Sequence, residues 1–475
     1  MLLLLTPPLE SMETARSGPK KKLKQYFHNI TTQVVEKSTR DAQMHPSLLI
    51  FTVASFLLGC LLGSLLFGPL ADNFGRKGVL LINDVLSIVS TILLAVSKSV
   101  HSHGFYAFAR FLIGMCTGIF SCAVQIYLGE VSPTNLRGSL GILHMFFISV
   151  GILISQALGG QELLGNPKGL PFLRSIPGVM SLFQLFLLLP FPESPRYLLI
   201  QKEDEEGARR ALQKLRGQDD VEDEIEELRE EDLYEKKEKK MTILKLLHSP
   251  RLRWQLICVV TLFATQQFSG VNAAYYYSDR IFMVLNTDEN RVRYIMSATT
   301  FMLLFGQGLS VCKIDSWGRR PLLLSGFGIC IISCVLLTMT LELQVAESRM
   351  AYVSSFLLLA FRTGNLIGPT SIPHLMVTEL FLQSSRSSAF AIGGFVQWFL
   401  IFLIGFAYIL VEKHIRAYSF LIFLPFSVAG FVYILKFVPE TKRKTFLDIR
   451  KLLEIFLSRQ YLNEQPSAKK KPQRH

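Results

Sequence analysis

Asp72-Asn73-Phe74-Gly75-Arg76-Lys77 and, 243 residues later, Asp315-Ser316-Trp317-Gly318-Arg319-Arg320 are two versions of one hexapeptide. Two more markers keep nearly the same spacing. Glu130-Val-Ser-Pro-Thr-Asn-Leu-Arg137 returns as Glu379-Leu-Phe-Leu-Gln-Ser-Ser-Arg386 at an offset of 249, and Pro192-Glu193-Ser194 returns as Pro439-Glu440-Thr441 at 247. Three markers in one order at one spacing mean an internal duplication, so the chain reads as two parallel copies of one unit.

What lies between the markers is apolar. Of 475 residues, 50% are hydrophobic and only 18% charged, with a mean hydropathy of +0.34. The charges are segregated: 56 of the 87 fall in 1-46, 192-253 and 439-475, leaving 31 for the other 330 residues. The two charge-poor blocks, 47-191 and 254-438, are expected to be membrane-embedded bundles. A helix needs about 20 apolar residues to cross ~30 Å of hydrocarbon. On that measure the first block divides near 47-71, 79-97, 105-128, 140-160 and 171-191. The second divides near 254-277, 294-313, 321-341, 352-380, 388-411 and 418-438, which predicts five spans plus six and an all-α membrane protein.

Short loops rich in Lys and Arg mark the cytosolic side of a membrane protein. Arg76 and Lys77, Arg137, Arg319 and Arg320, Arg386 and the tail from Lys442 all fall on one side once the spans are counted, and that side is taken as cytosolic. The net charge of +13 is therefore read as a membrane edge and not as a nucleic-acid surface. The seven cysteines sit inside apolar segments without metal-ligand spacing, so neither a disulfide framework nor a metal site is expected. Neither a nucleophile-base pair nor a phosphate-cradling loop is evident, which argues against an enzyme or a cofactor.

The central stretch 192-253 carries 17 acidic and 14 basic residues, with Ala208, Leu212, Leu215, Ile225 and Leu228 at helical spacing. It predicts short amphipathic helices under the membrane unit, or else a solvated linker. The 439-475 stretch reads as a cytosolic tail. The duplication also predicts a span near 8-31, opposite that at 254-277, yet this region holds Lys20-Lys21-Lys22 and Lys24 and is too polar to cross. Residues 1-46 are thus expected to be an atypical segment standing where a first helix belongs. Met1 to Leu5 is too short for a signal peptide's apolar region. Asn29-Ile30-Thr31 is a glycosylation sequon, which favours the secretory route and the plasma membrane.

Parallel halves related by an axis along the membrane normal, with a site near the midplane between them, are a known way to build secondary transporters. The repeated charges then suggest a cytosolic latch from Asp72, Arg76, Glu130, Arg137, Glu193 and Arg196 in one half and Asp315, Arg319, Arg320, Glu379, Arg386 and Glu440 in the other. The simpler alternative is that these charges mark orientation and cap helices.

Together Asp72 to Lys77, Gly129-Glu130 to Gly138, Pro192-Glu-Ser-Pro-Arg196, Gln266-Gln267-Phe-Ser-Gly-Val-Asn272 and Pro439-Glu-Thr-Lys442 resemble the GLUT-type facilitative hexose transporters, in the sugar-porter branch of the major facilitator superfamily. Tyr275-Tyr276-Tyr277, Ser371-Ile372-Pro373 and Phe381 to Arg386 look closest to its fructose-transporting members. The resemblance implies the major facilitator fold, with twelve spans where about eleven are counted here, working as a monomer within lipid. It implies hexose uniport by alternating access, with a sugar site lined by Gln156, Gln266, Gln267, Asn272, Asn365, Gln397 and Trp398 and with Glu379 nearby. Neutral amides suit a ligand that presents only hydroxyls, and polar groups within spans mark sites by default; inter-helix bonding is the alternative for each. Gly364, Gly368, Pro369 and Pro373 would let their helix break, or the glycines would serve close packing.

The chain also departs from the pattern. Asn365 stands where fructose-transporting relatives carry His, and Leu303 and Ile401 stand where the family carries Asn. His374 replaces an aromatic or small residue, and Arg362 is a charge inside a span. Proton symport, or a non-transporting protein acting as partner or sensor, remain the rival readings.

Overall fold

The computed structural model of the chain describes residues 46–449 apart from 101, 134, 160–163, 165–168, 237–240, 251, 273, 275–288, 344–349, 416–417, 419, 443 and 445–447. Asn29, the rest of the N-terminal segment, Tyr275 to Tyr277 and the end of the tail lie outside the described residues. Within them all regular structure is helical. The first bundle contains α1 (Pro46–Val100), α2 (His103–Val131), α3 (Arg137–Leu158) and α4 (Leu170–Leu188). A π-helical turn, Tyr197–Gln201, leads to α5 (Glu205–Arg216), α6 (Glu222–Glu235) and α7 (Ile243–His248). The second bundle contains α8 (Arg253–Phe268), α9 (Glu289–Trp317), α10 (Arg319–Leu343), α11 (Met350–Ile367), α12 (Ile372–Leu380), α13 (Gln383–Ile415) and α14 (Leu424–Phe437).

Six described helical stretches are long and apolar enough to cross a membrane: Phe51–Ser97, His103–Val131, Arg137–Leu158, Arg319–Leu343, Met350–Leu380 and Gln383–Ala407. Phe172–Leu188 and Leu424–Phe437 are apolar but shorter. The first stretch has 47 residues, roughly 70 Å at 1.5 Å per residue, more than twice what one crossing needs. It is broken at Gly75, where φ 79° and ψ 178° leave the helical region. Gly318, between α9 and α10, repeats the break with φ 100°. Only glycine adopts such angles readily.

Helices pack this closely because small residues let their backbones meet. Gly59 and Gly63 on α1 face Gly114 and Gly118 on α2; a Cβ on any of the four would stand 2.1–2.2 Å from a backbone carbonyl oxygen of the other helix. In the second bundle Gly326 on α10 meets the carbonyl of Gly364 on α11, and Gly368 meets that of Leu322. The glycines thus serve packing, and the chain breaks as well. After Ile367, the Thr370 N–H returns to the Asn365 carbonyl and the Ser371 and Ile372 N–H groups to Gly368, before α12 begins.

Two seams join the bundles. α3 and α9 run antiparallel: Ser139 bonds Asp315, Gly308 lies beside Phe146, and Ser149 bonds Gln307. On the other seam α1 faces α13, with Arg76 at Ser387, Gly68 near Ala391, Gly394 against Ser64, and Phe56 edge-on to Trp398. One continuous core contains Phe67 and Ile126 of the first bundle beside Leu375 and Phe390 of the second.

The stretch between bundles is structured. Leu199, Ala208, Leu212, Val221, Ile225 and Leu228 form a small core of their own. Asp204 caps α5 by accepting from the Gly207 N–H, and left-handed Gly217 ends it.

Candidate substrate site and gate

At the end carrying the basic loops, the duplication persists down to single hydrogen bonds. Glu193 accepts from the backbone N–H groups of Arg76 and Lys77 at 3.0 Å. Glu440 accepts from those of Arg319 and Arg320 at 3.1 and 3.0 Å. These carboxylates fill the space a side chain at Gly75 or Gly318 would need: a Cβ there would lie 2.5 and 2.6 Å from the respective Oε2 atoms. A glycine that turns the chain and a Glu that binds the turned amides are therefore one device, made twice.

The Arg side chains follow the same plan. Arg76 Nε donates to Glu130 at 3.0 Å, and the Ser194 hydroxyl donates to the same carboxylate at 2.5 Å. In the second bundle Arg319 Nη2 donates to Glu379 at 2.7 Å, joined there by the hydroxyl of Thr441. Each Glu is thus held within its own bundle by one Arg and one hydroxyl.

Contacts between bundles are added to this frame. Arg386 of α13 donates to Glu130 of α2 at 3.1 Å with both side chains at zero exposure. Arg137 is buried in the same layer, where Glu379 is the main opposite charge acting on it. Asp315 accepts from the Ser139 N–H at 2.9 Å and from its hydroxyl at 2.5 Å. Because Leu136 supplies no side-chain cap to α3, Asp315 caps that helix from the opposite bundle. Its counterpart Asp72 lies in the same turn of α1, but Ser388, the counterpart of Ser139, donates instead to the Met241 carbonyl of the linker. The linker reaches this layer elsewhere too: Glu231 pairs with Arg196, and Glu235 accepts from the Ser384 N–H at 3.0 Å.

Beyond this charged layer lies a polar layer inside apolar helices. Gln266 stands 13 residues past Arg253 on α8 and Gln397 14 past Gln383 on α13, roughly 20 Å from the basic end by helical rise. Asn272 donates to Gln267 Oε1 at 2.9 Å, and Ser269 donates to Asn365 Oδ1 at 2.9 Å. Gln397 Oε1 bonds His374 Nε2 at 2.9 Å, and Gln266 Nε2 reaches the Thr370 carbonyl at 3.4 Å. Opposite, in the first bundle, Gln125 bonds His144, whose ring is 6.2 Å from that of His374.

Several buried polar atoms in and just below this layer have no bonding partner among the described residues: Gln266 Oε1, Gln307 Nε2 and Trp398 Nε1. Unsatisfied groups of this kind are rare in folded interiors. Both donors and acceptors are present, which is what a ring of hydroxyls requires.

Gln266, Gln267, Asn272, Asn365, Gln397 and Trp398 share the layer, but Gln156 stands 19 residues past Arg137 on α3, roughly 28 Å from the basic end. Ser149, seven residues earlier, bonds Gln307 of the second bundle, and Gln156 Oε1 has no bonding partner among the described residues. Leu303 and Ile401 are apolar packing residues, and Arg362 is buried on α11 three residues before Asn365. Sequence reasoning missed Ser139, Ser149, Ser194, Gln307 and Thr441. A search of the repeat for hydroxyls could have found Ser194 and Thr441, since they occupy matched positions.

Residues 16–453 match the family described as "Sugar (and other) transporter". The chain belongs to this family. Human solute carrier family 2, facilitated glucose transporter member 5 is 44% identical over 422 residues, covering 87% of this chain and 84% of its own. Human member 7 is 41% identical over 426 residues, covering 90% and 83%. Among solved structures, the major facilitator superfamily proton:xylose symporter XylE bound to 6-bromo-6-deoxy-D-glucose superposes with a TM-score of 0.77 at 23% identity, over 91% of this chain and 94% of its own. The chain thus has the fold of that superfamily, and its family comprises membrane transporters.

Proposed function

We propose that this chain carries hexoses, fructose or glucose, down their own gradient across the plasma membrane by alternating access. The observation that carries the reading is the set of unpartnered buried polar atoms at the bundle boundary: Gln266 Oε1, Gln307 Nε2 and Trp398 Nε1. Neutral donors and acceptors in an apolar surround suit a neutral polyol and offer an ion no counter-charge.

The remaining assignments support the same cycle. Blocks 47-191 and 254-438 are the two rocking units, while 192-253 and 439-475 lie on the cytosolic side. The Arg76, Arg386, Glu130 and Arg319, Glu379 clusters are the inner latch, closed in the state described. Both seams are bonded from this end up to the polar layer, so the sugar in this state enters from outside. The monomer suffices, because both halves of the site come from one chain.

Uptake of radiolabelled fructose and glucose by the purified protein in proteoliposomes tests the reading. Saturable uptake of at least one hexose, unchanged by an imposed proton gradient, is expected. Stimulation by an inward proton gradient would replace uniport by symport. No uptake of any hexose by folded protein would remove the transport reading.

A further inference from the structure

Gln307 belongs to none of the motifs that nominated the site, yet its surroundings resemble those of the site residues. It is 1% exposed. α9 presents Phe301, Met302, Phe305 and Leu309 outward, all at least half exposed, whereas Thr300, Leu303, Gln307, Ser310 and Ile314 form its buried face. Gln307 Oε1 accepts from Ser149 Oγ at 2.5 Å across the α3–α9 seam, while its Nε2 has no partner among the described residues. Ten residues from the basic end of α9, it stands roughly 15 Å in, about one turn below Gln266 and Gln397.

We propose that Gln307 Nε2 donates a hydrogen bond to a hydroxyl of the transported hexose from the floor of the site. The inference rests on the transport reading above. Ser149 holds one end of the amide, which fixes its plane and leaves the other end as an oriented donor. Leu303, on the same face one turn outward, offers no hydrogen bond, so Gln307 is the amide donor α9 presents on this side of the sugar. The holder is in the opposite bundle, so the amide stays oriented only while the seam at Ser149 is closed. Recognition of this hydroxyl is thereby tied to the state with the inner gate shut.

The experiment compares wild type and Gln307→Leu in proteoliposomes. Uptake of the labelled hexose is competed by a series of its monodeoxy analogues. One analogue is expected to compete about tenfold more weakly than the parent sugar against wild type, yet within about twofold of it against Gln307→Leu. The variant should bind the parent sugar about as weakly as wild type binds that analogue. Should the leucine variant not fold, Gln307→Met, an unbranched residue of similar length, gives the same comparison. A variant that transports, with every analogue losing the same factor as in wild type, overturns the assignment and leaves the transport reading intact. A folded wild type that neither transports nor binds any hexose removes both.

Discussion

Glu130 of the first bundle and Arg386 of the second form a 3.1 Å ion pair with neither side chain exposed to solvent. Glu130 is already bound to Arg76 and Ser194, so Arg386 is a second cation on a carboxylate that its own bundle has satisfied. Separating the bundles therefore leaves Glu130 paired and strips Arg386 of its opposite-bundle partner. That asymmetry would let one bond serve as the proposed latch without making the open state prohibitive.

Arg386→Ala removes the latch but leaves Glu130 with Arg76. Losing one member of a buried pair costs about 3–5 kcal/mol when the other is stranded, and less here because Glu130 keeps a partner. The shut inner gate is expected to lose population, with net uptake falling about tenfold or more. Labelling of an engineered cysteine on the cytosolic side of the seam should rise in parallel. Unchanged labelling with full uptake would show that Arg386 does not latch.

Gly75→Ala and Gly318→Ala should both fail to accumulate as folded protein. Each adds a Cβ where φ is positive, a strain of about 1–2 kcal/mol, and each drives that atom against the Glu193 or Glu440 carboxylate. Gly78→Ala, whose Cβ would make ordinary 3.4 Å contact with Phe74, is the control and should fold. Detergent-solubilised size-exclusion profiles distinguish these outcomes.

These two turns also show what the sequence makes legible. The repeated Asp-x-x-Gly-Arg-Lys/Arg hexapeptide and the Pro-Glu element are local strings, so their duplication is visible by eye, and it carries through to matched hydrogen bonds at Glu193 and Glu440. Cross-bundle partners are different. The repeat groups Arg386 with Glu379 and Glu440 of its own half, yet its side chain pairs with Glu130 of the other, because the pairing depends on how the seams register. A glutamine in an apolar helix announces itself, but only the α3–α9 register shows that Ser149 stands opposite the second bundle while Gln156 lies two turns outward. Ser149 and Gln307 carry no motif and become visible only when the helices are side by side.

Gln266→Leu should lower kcat/KM for hexose uptake about two- to tenfold, the range for one net hydrogen bond, with thermal stability unchanged or raised. The expectation about stability follows from Gln266 Oε1, which is buried without a partner in this state; an apolar replacement relieves that cost. A fall in stability together with unaltered uptake would make Gln266 a structural residue.

The linker helices should tolerate moderate acid. Hydrogen bonding from Arg229 holds Glu205 below the usual carboxylate range, and that from Arg209 does the same for Glu222. A carboxylate with a lowered folded value contributes stability that is fully present above its unfolded value, roughly pH 4.3, and is lost as pH falls through the folded one. Amide exchange in α5 and α6 is therefore expected to be flat between pH 8 and about pH 5, after correction for the intrinsic rate, and to quicken below about pH 4. The pairs are exposed, so salt should weaken them too. A transition near pH 6 would point to a different titrating group.

Asp315→Asn separates charge from hydrogen bonding at the second seam. Asp315 accepts from the Ser139 N–H and hydroxyl of the opposite bundle, and the positive end of α3 favours its charge. Asparagine is itself a good cap and keeps one acceptor oxygen, so the expected loss is about 0.3–1 kcal/mol from the dipole term, plus the Arg319 contact at 3.2 Å. Because the Ser139 cap exists only where α3 and α9 are closed, whereas the Arg319 contact lies within the second bundle, the variant should open the inner gate more often while each bundle stays folded. Asp315→Ala, which removes the cap altogether, should go further in the same direction. Inner-side cysteine labelling ranked wild type, asparagine, alanine in rising order is the expected result; equal labelling in all three would mean that Asp315 serves its own bundle through Arg319 and not the seam.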